Sequence, residues 1–169
     1  GALASIHGYP VSVVARDANS PAMRSIFNDA RESKGLKVLG RKDTRQLIRA
    51  LKQNECIALL PDQHATDGAV RCTFLGRPAD THSGPAMLAI RTGAKILPAF
   101  AVRADGDMVH VTVYPALELP VTGDRQADVL AITQMVNDAI GEQILAHPEQ
   151  WLWFHNRWKA KDEPDAASD

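Results

Sequence analysis

CIALLPDQHATDGAVRCTFLGRPADTHSGPAMLAIRTGAKILPAF, running from Cys56 to Phe100, decides the fold class of this chain. Its apolar run Cys56–Leu60 breaks at Pro61, which has no N–H for a ladder, and delivers Asp62, Gln63 and His64 to a strand's C-terminal end. Gly84 to Thr92 reads as a helix capped by Ser83 and stopped by Gly93. A second apolar strand follows at Ile96–Val102, interrupted by Pro98. In open α/β sheets, ligands bind at the C-terminal ends of strands, so Asp62 and Gln63 are candidate site residues.

Working outward, Val11 to Ala15 is a short buried strand ending at Arg16. Asp17 to Pro21 is turn chemistry, and a helix is expected from Pro21 to about Lys34, with Gly35 as its stop. Lys37–Leu39 is a strand. After it, Gly40-Arg41-Lys42-Asp43 leads into a helix over Thr44–Lys52, with Asp43 and Gln46 spaced as a capping box. Downstream, a strand is expected near Arg71–Phe74, followed by a turn at Leu75-Gly76-Arg77-Pro78. Lys95–Arg103 and Met108–Val113 should form a hairpin around Ala104-Asp105-Gly106-Asp107. Val129, Ile132, Val136, Ile140 and Ile144 recur at helical spacing, which predicts a long helix over Ala127–Ala146. The acidic tail 162–169 is expected to be disordered, leaving 1–161 as a single domain. Strands alternating with helices predict an α/β fold with a mixed, mainly parallel sheet flanked by helices.

The bulk numbers fit this picture. The chain has 169 residues, 45% of them hydrophobic, and a net charge of −1. A near-neutral chain has no global basic field for nucleic acid, so no nucleic-acid partner is expected. No run approaches the roughly 18 apolar residues of a membrane span. Cys56 and Cys72 lack metal-ligand spacing and read as buried thiols in a reducing compartment. The segment Gly1–Pro10 resembles the last turns of a helix with a Gly/Pro stop, which suggests a chain truncated at its N-terminus.

Several residue groups invite chemistry. Arg41 stands between a strand and a helix N-terminus, where free N–H groups and the helix dipole favour an anion; a solvated basic turn is the plainer alternative. Asp62 could equally cap its loop. Arg16 ends the first strand, at the same kind of edge. Asp62, His64, Asp67 and His82 also permit a metal-dependent hydrolase, although their spacing matches no familiar site. In Trp151-Leu152-Trp153-Phe154-His155-Asn156-Arg157-Trp158-Lys159, aromatic and basic residues interleave. Trp151 and Trp153 are expected in the core, and Arg157, Trp158 and Lys159 at the surface, facing a membrane or an acidic protein.

Several short blocks, in this order, resemble the bacterial lipid A biosynthesis (lauroyl/myristoyl) acyltransferases of the lysophospholipid acyltransferase superfamily. The matching residues are Gly8-Tyr9-Pro10, Val13 to Arg16, Gly40-Arg41, Leu60 to Gln63, Phe74-Leu75-Gly76, Pro78-Ala79 and Ser83 to Ala86. Arg91 to Ala94, Pro98, His147 to Trp153, His155, Arg157 and Lys159 complete the series. The resemblance implies transfer of a fatty acyl chain from acyl carrier protein to a hydroxyl of a phosphorylated lipid A precursor, at the cytoplasmic face of a bacterial inner membrane. It implies substrate phosphate on Arg41 and an acceptor pocket shaped by Asp62 and Gln63. No cofactor or metal is expected, because the donor thioester is already activated. The family's His-x-x-x-x-Asp/Glu base motif should fall just before the helix ending at Gly8, so this chain looks like a C-terminal part without that pair. A non-catalytic lipid- or carrier-binding remnant is the alternative.

Overall fold

The computed structural model describes residues 8–15, 37–40, 43–106 and 108–159. The chain divides into two compact units, Gly1–Leu60 and Pro61–Asp169. Among the described residues of the first unit, β1 (Val11–Ala15) lies between β2 (Lys37–Gly40) and β3 (Cys56–Ala58) in a parallel sheet. Val13 is opposite Val38 on one side and Ala58 on the other. Helix α1 (Thr44–Lys52) joins β2 to β3, and the predicted cap forms: Asp43 Oδ1 accepts the Gln46 N–H at 3.0 Å. Leu47 and Ala50 turn inward. Strand β3 stops two residues short of the predicted Leu60, because Pro61 biases its predecessor and contributes no ladder donor. Cys56 is exposed rather than buried, since it opens β3 at an outward position. At the N-terminal ends of the strands, Ser12 donates to Glu55 Oε2 at 3.1 Å, and Lys37 Nζ lies 3.6 Å from the same oxygen.

The second unit begins with an antiparallel hairpin, β4 (Ala69–Phe74) and β5 (Arg77–His82). The predicted four-residue turn is in fact two residues, and Arg77–His82 is a strand. Leu75 and Gly76 both have positive φ, 49° and 76°, as a tight two-residue hairpin requires. Pro78 is tolerated in a two-stranded sheet, where an edge needs no donor. Helix α2 (Gly84–Thr92) follows and ends at Gly93, as predicted. Ser83 does not cap it; its hydroxyl donates to the Gly68 carbonyl at 2.7 Å and closes the preceding loop instead. Strands β6 (Ala99–Arg103) and β7 (Val109–Val113) form the predicted hairpin, shortened at its start by Pro98.

Helix α3 (Arg125–Ala146) organises the second unit. Asp124 caps it by accepting the Gln126 and Ala127 N–H groups. One stretch of α3 buries Val129 and Ile132 with Ala86; further on, Ile144 packs with Phe74 and Ala79. Gly141 leaves room for Leu75, whose Cδ2 lies 3.3 Å from where a Cβ would stand. Gln134 serves the outer edge of β4: its amide accepts the Thr73 N–H at 2.8 Å and donates to the Thr73 carbonyl at 3.0 Å. Gln150 repeats this on Arg103 of β6, at 2.8 and 3.0 Å. Each glutamine thus substitutes for a missing neighbouring strand. The architecture is mixed α/β: three helices, a parallel sheet and two antiparallel hairpins among the described residues.

Candidate active site

Arg16 and Arg41 lie outside the described residues. Ala15 and Gly40, the residues immediately before them, are register partners at the C-terminal edge of the parallel sheet. Asp62 and Gln63 open the second unit, in the loop that precedes β4. Asp62 is half-buried, and its Oδ2 accepts the Trp151 indole N–H at 3.4 Å, whereas Gln63 is exposed. Two residues on, the His64 N–H donates to His155 Nε2 at 2.8 Å. The Ala65 N–H then bonds the Asp80 carbonyl at 3.1 Å. Successive residues of this loop are therefore fastened to the C-terminal segment and to β5.

His155 accepts through Nε2, so its proton resides on Nδ1 and the ring is neutral. Burial lowers its pKa from the ordinary 6.5; Asp62 opposes this, while His64 and Arg157 reinforce it. The Nδ1 of His64 is buried without a partner among the described residues.

Beneath this loop lies a buried polar node. Arg157, expected at the surface, is 0% exposed. Its guanidinium donates to the Asp80 carbonyl and to Thr81 Oγ1, each at 2.7 Å, with a longer bond to Asn137 Oδ1 at 3.4 Å. It stacks over the Phe74 ring, 4.5 Å from the centroid. The reversal has a plain cause: β5 and α3 present a convergent set of acceptors, which makes burial of a charge tolerable. Burial lowers its pKa, opposed by Asp62, Cys72 and Asp80, and an arginine remains charged at neutral pH regardless. Asp80 also accepts from Arg71 Nη1 at 3.1 Å. Neighbouring Cys72 is buried, and desolvation raises its thiol, so it stays protonated.

Trp151 and Trp158 pack on Phe74, with ring centroids 5.7 and 6.0 Å away. Trp158 is therefore partly buried against the core, while Trp153 is half exposed, the reverse of the expected arrangement. No group of three His, Cys, Asp or Glu side chains able to hold a metal forms among the described residues, so Asp62, His64, Asp67 and His82 do not assemble the hydrolase site considered above. An open cleft of about 250 Å³ is lined by Met87, Ile90, Arg91 and Arg125, and includes neither Asp62 nor Gln63. The fastening of Asp62 and His64 by Trp151 and His155 was not foreseen. Both partners stand in the block His147–Lys159, but nothing in their spacing reveals that they reach back some ninety positions.

Comparison with known proteins agrees with the motif order. The family model for bacterial lipid A biosynthesis acyltransferases matches residues 2–160. A phosphatidylinositol mannoside acyltransferase of Mycobacterium tuberculosis is 33% identical over 154 residues, covering 88% of this chain and 47% of that protein. The lipid A palmitoleoyltransferase of Escherichia coli K12 is 28% identical over 155 residues, 90% of this chain and 49% of the relative. Its lipid A lauroyltransferase is 30% identical over 132 residues, 75% and 41% respectively. This chain thus spans about half the length of the curated relatives it matches. A match over residues 2–160, nearly all of the chain, places it in the bacterial lipid A biosynthesis acyltransferase family.

Proposed function

We propose that the protein containing this chain transfers a fatty acyl group from the thioester of acyl carrier protein to a hydroxyl of a phosphorylated glycolipid, a lipid A precursor, at the cytoplasmic face of a bacterial inner membrane. The family match over residues 2–160 carries this reading. In such a transfer a base takes the acceptor hydroxyl's proton as the oxygen attacks the thioester carbonyl. The C–S bond then breaks, and the departing thiolate takes up a proton. The activated thioester supplies the driving force, so no cofactor enters the scheme.

Arg41 is assigned to the acceptor's phosphate, which a guanidinium meets with two parallel hydrogen bonds. Arg16, at the neighbouring strand end, is assigned to the same anion. Asp62 and Gln63 are assigned to the acceptor pocket. The indole bond at 3.4 Å and the His155 bond at 2.8 Å support that role, since they preset the loop that carries both residues.

A second acceptor is favoured by one observation: the mycobacterial relative acting on phosphatidylinositol mannoside is more similar than the palmitoleoyltransferase, 33% against 28%. Both acceptors join a sugar to a phosphate, so Arg41 serves either. The test is transfer by the full-length parent from labelled acyl carrier protein, offered each acceptor separately. Acylation of one is expected, with Arg41→Ala raising acceptor KM about tenfold to a hundredfold. Acylation of neither would end the proposal.

A further inference from the structure

Leu152, Trp153 and Phe154 are consecutive and 56%, 51% and 99% exposed. Three large apolar side chains in a row, facing outward, oppose the usual patterning of a surface and mark a contact. The run is held firmly. Trp153 Nε1 donates to the Pro148 carbonyl at 2.6 Å, and its ring meets Trp151 edge-on at 4.8 Å. Both flanks are fastened to one loop: Trp151 to Asp62, and His155 to the His64 amide.

Two arginines stand near the flanks of the run. Arg77 lies over the Trp158 ring at 5.1 Å, and Arg103 is the residue whose backbone Gln150 pairs. Both arginines are exposed. Gln150 to Asn156 carry no carboxylate; the adjacent Glu149 lies 4.0 Å from His147 Nδ1. A tip of three side chains is small beside the roughly 800 Å² per partner of a stable protein interface. Exposed apolar side chains on a turn, with exposed arginines near its flanks, fit the headgroup boundary of a bilayer that contains anionic lipid.

We infer that Leu152-Trp153-Phe154 enters the bilayer interface and, through its two fastened flanks, holds the Asp62–His64 loop at the lipid surface. The loop's role in transfer rests on the function proposed above; insertion of the tip does not. Vesicles of brominated phosphatidylcholine should quench the tryptophan fluorescence of this chain, and Trp153→Phe should remove most of that quenching. A Leu152→Ser/Phe154→Ser variant should lower partitioning into equimolar phosphatidylcholine/phosphatidylglycerol vesicles by at least about tenfold, at an unchanged unfolding midpoint. Arg77→Gln with Arg103→Gln should abolish the preference for those vesicles over pure phosphatidylcholine. Absent quenching, or undiminished partitioning of the serine variant, overturns the inference. So does self-association that the serine variant loses while vesicle binding persists. In the full-length parent, normal acyl transfer in detergent combined with tip-independent vesicle binding sinks the tip and leaves the function. Tip-dependent binding without transfer to either acceptor does the opposite.

Discussion

Two stretches of one short segment invert the usual rule of burial. At Arg157 a permanent charge is fully enclosed, while three to five residues earlier Leu152, Trp153 and Phe154 face outward. The difference lies in what each meets. Arg157 finds the Asp80 carbonyl, Thr81 Oγ1, Asn137 Oδ1 and the Phe74 face, so both terminal nitrogens are bonded and its flat ion is stacked, while the buried Nε has no partner among the described residues. Among the described residues nothing comparable covers Phe154, which is 99% exposed. Within this segment, satisfaction of polar groups by β5 and α3 decides burial, and hydrophobicity does not.

The largest expected effect breaks the buried half of this contrast. Arg157→Leu strands the acceptors on Asp80, Thr81 and Asn137 and should destabilise the chain by about 3–5 kcal/mol in urea unfolding. Arg157→Lys should recover only part of this, because an ammonium cannot span the same acceptors as a fork. Near-normal stability of the leucine variant would mean the node is ornamental.

A smaller effect is expected at Asp128, a second buried charge. Its carboxylate accepts the Thr122 N–H at 3.0 Å, the Thr122 hydroxyl at 2.8 Å and the Gly123 N–H at 3.3 Å. The Thr122 backbone bond is the leading cause that lowers its pKa from 3.8. A depressed carboxylate contributes stability above its unfolded pKa and loses it as pH falls through the folded value. Asp128→Asn should therefore lower the thermal midpoint at neutral pH, and the gap from wild type should close below pH 3.8. A gap independent of pH would contradict this.

His155, between the two stretches, sharpens the comparison in the opposite direction of charge. Its folded pKa lies below 6.5, so the native state binds fewer protons than the unfolded chain once pH drops under that value. Its contribution is intact above pH 6.5 and fades as pH falls towards the folded pKa, because an imidazolium cannot accept the His64 N–H. Hydrogen exchange at the His64 amide should accelerate, relative to neighbouring amides, over the same window. His155→Gln should flatten that dependence.

The smallest effect belongs to the exposed half. Phe154→Ser should change folding stability by no more than about 0.5 kcal/mol, despite removing a large apolar side chain. A loss of several kcal/mol would show that Phe154 is covered in the folded protein.

Some of this was legible along the chain. The cap of α1 was readable because Asp43 and Gln46 interact over three positions, and α3 because its apolar residues recur every turn. The Asp62–Gln63 loop was readable from Pro61 ending an apolar run. Strand Arg77–His82 was not, because Leu75 supplies a left-handed turn that its side chain does not advertise, and because Asp80 and Thr81 look like loop residues until Arg157 and Asn137 meet them. Arg157 was misjudged for the same reason: its acceptors come from positions 76 and 77 residues earlier.

By itself, then, the sequence determined the α/β class, most of the element order, the family and the candidate loop, since each depends on local propensity or motif order. Tertiary structure alone decided that Gln134 and Gln150 finish strand edges, that Trp151 and His155 fasten the Asp62–His64 loop, and that Arg157 is inside while Phe154 is outside. The physical reason is range. Caps, turns and periodicity act over a few residues, whereas a hydrogen bond or a stacked ring takes whichever partner the folded chain brings within about 3–6 Å, however distant in sequence.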